Sequence, residues 1–185
     1  NERGPRVIEK QERAGYHAIT DGEFRRSYWH VGFMWGFAGI DEVGLDHGYY
    51  FQGEEATRGS SRVSGKISGE NHPFVEHYKF VKQFEDENYI ARQTMPAPAQ
   101  LLAELYREDN GKNTDAVYPN HEQLLQDIAA AYRTVICDLY NAGCRSIQFD
   151  DCTWGMFCAP NHQAFIAQAG VQLEDQANDD PRLNN

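Results

Sequence analysis

Hydrophobic and polar positions divide the chain into alternating helical and strand-like stretches. Residues 5–15 read as a helix, with Pro5 near its start, Val7, Ile8 and Gln11 on one side, and Gly15 as its stop. Tyr16 to Thr20 read as a strand that runs into Asp21-Gly22-Glu23-Phe24-Arg25-Arg26. From Tyr28 to Gly53 aromatics and glycines crowd together, the composition of an ordered loop with short strands rather than a helix. Arg62 to Ser68 alternates polar and apolar, which predicts a strand. His72-Pro73 opens a helix that runs to about Asp86, with Phe74, Tyr78, Val81 and Phe84 near one face.

The second half repeats the alternation. Tyr89 to Thr94 read as a strand, which must stop at Met95-Pro96-Ala97-Pro98 because proline cannot donate to a central ladder. Gln100 to Glu108 look helical, and Asp109-Asn110-Gly111 reads as a turn. The longest helix follows Pro119. Asn120 is its N-cap and Gln123 stands in the capping-box position. Leu124, Ile128, Tyr132, Val135 and Leu139 form its apolar stripe, and Gly143 closes it. Ser146 to Asp150 then read as a buried strand with a polar end, and His162 to Ala169 as a last helix closed by Gly170. Helices alternating with strands indicate βα units and a mainly parallel α/β sheet. In such architectures ligands meet the carboxyl ends of the strands, where this order places Asp21, Glu23, Thr94 and Asp150.

Composition narrows the function classes. Lys and Arg total 17 and Asp and Glu 28, a net charge of −11. Nucleic-acid sites need clustered cations, so a nucleic-acid partner is not expected. Nor is a membrane one, because no run approaches the ~18 apolar residues of a span. The four cysteines, Cys137, Cys144, Cys152 and Cys158, include no Cys-x-x-Cys pair, and reduced thiols in a cytoplasmic protein are the expectation. The chain begins without methionine inside a helix-like stretch, as a piece of a longer protein would.

Three clusters carry candidate chemistry. Asp21 and Glu23 are two apart, so they share a side if strand geometry persists, and Gly22 between them lets backbone approach a ligand. A carboxylate there can hold an ammonium group or act as acid or base; it can equally be an acid favoured by a helix N-terminus. Of Asp150 and Asp151, adjacent on a strand, only one is expected to enter a site, while the other caps the strand or pairs with an arginine. Trp154 can floor a pocket or simply pack. Thr94, Met95 and Pro96, stiffened by the prolines, can wall a flat ligand. Cys152, Cys158 and His162 lack an evident fourth ligand, so no metal site is assigned within the chain.

Taken together, Ile19 to Arg26 with Trp29, Thr94 to Pro98, and Ala142-Gly143-Cys144 leading to Gln148 through Trp154 resemble, in that order, the stand-alone proteins similar to the C-terminal domain of cobalamin-independent methionine synthase. The resemblance covers residues 5 to 170 and implies a (β/α)8 TIM barrel. Such a barrel takes about 250 residues, so it is expected to be incomplete in 185, as a single partial barrel domain with an aromatic- and glycine-rich insertion at about 27–60. It implies a zinc-dependent methyltransferase resembling 5-methyltetrahydropteroyltriglutamate–homocysteine methyltransferase. Such an enzyme moves a methyl or alkyl group, with methyltetrahydrofolate as donor, to a small-molecule thiol such as homocysteine in methionine biosynthesis.

By motif match, Glu23 and Asp150 resemble the acids that grip the homocysteine ammonium, and Asp21 and Trp154 are further substrate-binding candidates. Thr94, Met95 and Pro96 resemble the strand end on the donor side. The family's zinc ligands include a His-x-Cys pair that this chain lacks. Zinc is therefore expected of the intact protein, with ligands beyond residue 185, and this stretch alone is expected to be inactive. Two other readings stay open: a protein that binds an amino-acid thiol and has lost the metal, and a barrel hydrolase with Glu23 and Asp150 as paired carboxylates.

Overall fold

The structure, a computed structural model, describes residues 3–51, 53–153, 155, 179 and 183. It is a mixed α/β protein in which parallel strands and the helices between them frame one rim. Helix α1 (Arg3–Arg13) buries Ile8, sets Lys10 and Arg13 against its negative end, and is followed by Gly15 at φ 82°. Gln11 on this helix clasps the backbone of Thr20. Its amide donates to the Thr20 carbonyl at 3.2 Å, and its carbonyl oxygen accepts from the Thr20 N–H at 2.8 Å. The clasp fixes where the chain leaves strand β1 (Ala18–Ile19).

The aromatic segment is more regular than its glycines suggest. It holds a short helix α2 (Val31–Met34), strand β2 (Ala38–Gly44), and the small antiparallel pair β3 (Tyr50–Phe51) and β4 (Glu54–Glu55). Strand β2 pairs antiparallel with the ten-residue β5 (Gly59–Ser68), which therefore starts inside the expected insertion. The register shifts between Ala38 and Ile40, where Gly39 sits at φ 79°. A Cβ on Gly39 would lie 2.3 Å from the Lys66 carbonyl oxygen, so only glycine fits this bulge.

Helix α3 (Phe74–Lys82) buries Phe74, Tyr78 and Val81 as the pattern predicts. The strand expected at 89–94 is two short pieces, β6 (Ile90–Ala91) and β7 (Gln93–Pro96). The first piece pairs in parallel with β1 and the second with β8 (Ile147–Asp150), in the register Gln93 to Ile147 and Pro96 to Asp150. Residues 90–96 thus join β1 on one side to β8 on the other. All three carboxyl ends share one edge.

Helices α4 (Pro98–Leu105), α5 (Asn110–Val117) and α6 (His121–Asn141) complete the frame. The turn expected at 109–111 instead opens α5. The Asn110 side chain is buried and donates to Ser60 Oγ at 2.8 Å and to the Ser61 carbonyl at 3.3 Å, tertiary bonds that override its turn preference. The α6 stripe is as expected: Leu124, Ile128, Tyr132, Val135 and Leu139 are all buried, each stabilising the fold by roughly 1.5–3 kcal/mol. Asn120 caps α6 by accepting from the Gln123 N–H at 3.4 Å, and Gly143 at φ 97° ends it. Tyr132 reaches from α6 to β7 and donates to the Pro96 and Ala97 carbonyls at 3.1 and 3.2 Å, pinning the end of the central strand.

The described strands do not close into a barrel. Among the described residues no helix is long and apolar enough to cross a membrane. The helix expected at 162–169 lies outside the described residues.

Candidate functional site

Beyond Ile19 the strand does not persist. Gly22 and Glu23 both adopt left-handed backbone, at φ 61° and 62°, and Asp21 Oδ1 accepts from the Glu23 N–H at 2.9 Å. Asp21 and Glu23 therefore do not share a side as strand residues; a tight turn aims them. The turn carries Glu23 to β7, where Oγ1 of Thr94, the second residue of that strand, donates to Glu23 Oε1 at 2.9 Å. Asp150 stands at the end of β8, directly across from Pro96, and accepts from Gln148 Nε2 at 2.8 Å.

Arg26 ties this rim together. Its Nη1 donates to the Trp29 carbonyl at 2.7 Å, and its Nη2 donates to the Thr94 carbonyl at 2.8 Å and to Thr94 Oγ1 at 2.5 Å. The same nitrogen lies 3.2 Å from Glu23 Oε1. Burial lowers the Arg26 pKa, while Glu23, Asp21 and Asp150 oppose that shift, so all three acids lie in its field. Asp21 also pairs with Arg25 at 3.7 Å. Arg26 closes the Ile19–Arg26 motif, but the sequence pattern assigns it no role. Its only signal was an arginine three residues after Glu23, a spacing that suits a return contact across one turn.

The expected donor-side wall divides. Thr94 is half-buried at the rim, but Met95 lies in the core at 0% exposed, and Pro96 is buried under Tyr132. Asp151 Oδ1 accepts from the Thr153 N–H at 2.9 Å and from Thr153 Oγ1 at 2.6 Å, holding the turn that follows β8. Cys152 donates to Gln100 Oε1 at 3.0 Å, and burial, then Asp151 and Asp150, push its thiol pKa up. Trp154, Cys158 and His162 lie outside the described residues. Cys137, Cys144 and Cys152 are free thiols. Among the described residues no group of three or more His, Cys, Asp or Glu is placed to hold a metal.

A second polar cluster, also unforeseen, backs the rim. Glu104 on α4 is fully buried and accepts from Tyr49 OH and Ser60 Oγ, each at 2.6 Å, with Arg107 at 3.4 Å and His30 Nε2 at 3.6 Å. Burial pushes the Glu104 carboxyl up, but His30, Ser60, Tyr49 and Arg107 together outweigh it and hold the group below the ordinary carboxylate range. An ionised buried acid with this many donors locks the aromatic segment onto α4.

The geometry defines an α/β protein with an acidic site at the carboxyl ends of parallel strands. No protein-family model matches the chain. The uncharacterized proteins YxjH and YxjG of Bacillus subtilis (strain 168) are 34% and 33% identical to it over 175 and 153 residues. Those matches cover 94% and 82% of this chain but 44% and 39% of the two relatives, so the chain spans less than half of their length. A Listeria monocytogenes structure described as a candidate vitamin-B12-independent methionine synthase matches all of this chain with 48% of its own, at 29% identity and a TM-score of 0.74. A B12-independent methionine synthase from Shewanella sp. W3-18-1, solved with selenomethionine, shares the fold over 80% of this chain and 40% of its own, at 20% identity and a TM-score of 0.57. The family resemblance carried by the motifs thus holds in the structure: the chain is similar to stand-alone cobalamin-independent methionine-synthase-like proteins.

Proposed function

We propose that this chain forms the amino-acid-gripping part of a methyltransferase that resembles cobalamin-independent methionine synthase, and that its parallel strands are one arc of a (β/α)8 barrel. The observation that carries the reading is the meeting of Glu23 and Thr94 at 2.9 Å, beside a strand end that presents Asp150. Two carboxylates from separate strands at one rim suit the ammonium of a homocysteine-like thiol, since charge-assisted hydrogen bonds are the strong ones. Bound there, the amino acid has its polar end fixed and its thiol free to point elsewhere, and orientation of this kind lowers the barrier to transfer.

Zinc enters this reading as a metal held elsewhere in the intact protein. The described residues offer no donor set that fits it. This chain's part is confined to the amino-acid end, with a small-molecule thiol as partner, methyltetrahydrofolate as a candidate donor, and the cytoplasm as its place.

The test is transfer by the intact protein from methyltetrahydrofolate to homocysteine and to thiols of similar length without an amino group, with zinc measured alongside. A strong preference for the amino thiol supports the reading. Equal rates for both, or turnover without zinc, would overturn it.

A further inference from the structure

Arg26 is nearly enclosed by protein, its side chain 3% exposed. A buried guanidinium persists only where its donors and its charge are met. Trp29 and Thr94 take its hydrogen bonds, the Phe74 ring lies 4.8 Å from its carbon, and Glu23 Oε1 answers its charge at 3.2 Å. That same Oε1 also accepts from Thr94 Oγ1. Among the described residues, no hydrogen bond reaches Glu23 Oε2. Asp150 is half-engaged in the same way: Oδ1 is held by Gln148, and among the described residues no hydrogen bond reaches Oδ2. Each acid keeps one oxygen for a guest.

The local charge favours a cation. Acids outnumber cations at this rim, with Asp21, Glu23, Asp150 and Asp151 against Arg25 and Arg26. An ammonium would reduce that excess. Resting on the function proposed above, we propose that Arg26 is a positioning residue: it occupies one oxygen of Glu23, offsets part of the surplus acid, and so makes Glu23 and Asp150 a receptor for a primary ammonium group. Thr94 is the relay that sets the angle of Glu23. The guanidinium suits this task because its flat fork serves Thr94, Trp29 and Glu23 at once, which the point charge of lysine does not.

The test compares binding of methionine and of its desamino analogue, 4-(methylthio)butanoate, to the full chain by calorimetry. The proteins are wild type, Arg26→Lys and Thr94→Val, each with its melting temperature measured. Wild type should prefer methionine by roughly tenfold or more, the scale of one charge-assisted bond. Arg26→Lys should lose most of that preference by weakening methionine alone, and Thr94→Val should lose part of it. Binding of the desamino compound should stay level throughout, which a general loosening of the fold would not leave intact. A folded Arg26→Lys protein that keeps the wild-type preference would overturn the role of Arg26 while leaving the proposed function standing. If Arg26→Lys does not fold, Thr94→Val decides, because it removes only the hydroxyl relay; an unchanged preference then overturns the proposal. A wild-type protein with no preference for the amino compound would sink the functional reading itself.

Discussion

Thr94 Oγ1 donates to Glu23 Oε1 at 2.9 Å, and this bond joins the central strand β7 to the turn that leaves β1. The hydroxyl also accepts from Arg26, so one side chain links an acid and a buried cation. Removing it as Thr94→Val keeps the shape and deletes the link, while Arg26 retains the Thr94 carbonyl. Two bonds are lost, each with a charged partner and each worth about 1.5–3 kcal/mol, so the melting temperature should fall by at least about 6 °C in a chain of this size. Thermal unfolding of the two proteins measures it; identical melting curves would mean the bonds contribute nothing in solution.

Glu23→Gln tests the ammonium anchor directly. The amide keeps an oxygen for Thr94 but leaves the buried Arg26 without the charge that answers it, so the melting temperature should fall and is measured alongside. The charge that meets the substrate is lost, at about 1.5–3 kcal/mol, and kcat/KM for an amino-acid thiol in the intact protein should fall roughly ten- to a hundredfold. Thiols without an amino group should lose far less. Steady-state rates for both substrates decide the matter, and equal losses would remove Glu23 from the ammonium site.

His72 should make stability depend on pH. Its Nδ1 accepts from the Phe74 N–H at 3.3 Å, which leaves Nε2 to donate to the Phe33 carbonyl at 3.0 Å, so the buried ring is neutral. Burial lowers its pKa from 6.5 to about 4. Between those values the unfolded chain binds the proton and the folded one does not. The stabilising effect is therefore complete above pH 6.5 and is lost as the pH falls toward 4, by up to about 3 kcal/mol. Urea unfolding at pH 7 and pH 4.5 should show a steeper loss in wild type than in His72→Gln. Parallel losses in the two proteins would assign the effect to other groups.

Glu104 should be among the costliest polar positions to empty. Glu104→Ala strands the hydroxyls of Tyr49 and Ser60 and leaves Arg107 without its buried partner, at a cost of about 3–5 kcal/mol. Glu104→Gln keeps an acceptor and should lose less than half of that. Chemical denaturation of both variants ranks them, and a near-neutral Glu104→Ala would show that the cluster is not closed in solution.

The helices were the legible part of the fold because their signals are local. The α6 stripe, its Asn120 cap and its Gly143 stop each act within a few residues of themselves. The places where local reading failed are places where distant partners decide. Asn110 entered a helix because Ser60 and Ser61, far along the chain, take its amide hydrogens. The strand at 89–94 broke in two because it changes neighbour midway. Among the site residues, pattern alone places Asp150 at the end of its strand, but β1 stops at Ile19 and Thr94 lies inside β7, and neither the turn that brings Glu23 to Thr94 nor the cation beside it shows in the pattern. No periodicity announces that Arg26 folds back onto Thr94. The proline-stiffened strand end predicts Met95 as part of a wall, whereas the alternation of the strand sends it inward to the core.

The change of neighbour along residues 90–96 sets the lengths of the connections around it. Ile19, the last residue of β1, pairs with Ala91, and Thr94 lies three residues, or about 10 Å, further along. Strand β8 keeps level with that later stretch, so Asp150 stands well ahead of where β1 stops. The edge is a staircase, and residues 20–23 are its riser: Gln11 holds the bottom step at Thr20, and the two left-handed residues Gly22 and Glu23 turn the chain at the top. A riser of fixed height admits little variation in length. Added or missing residues can be absorbed in surface loops elsewhere, but between Ile19 and Glu23 they would part the acid from the hydroxyl it has climbed to meet.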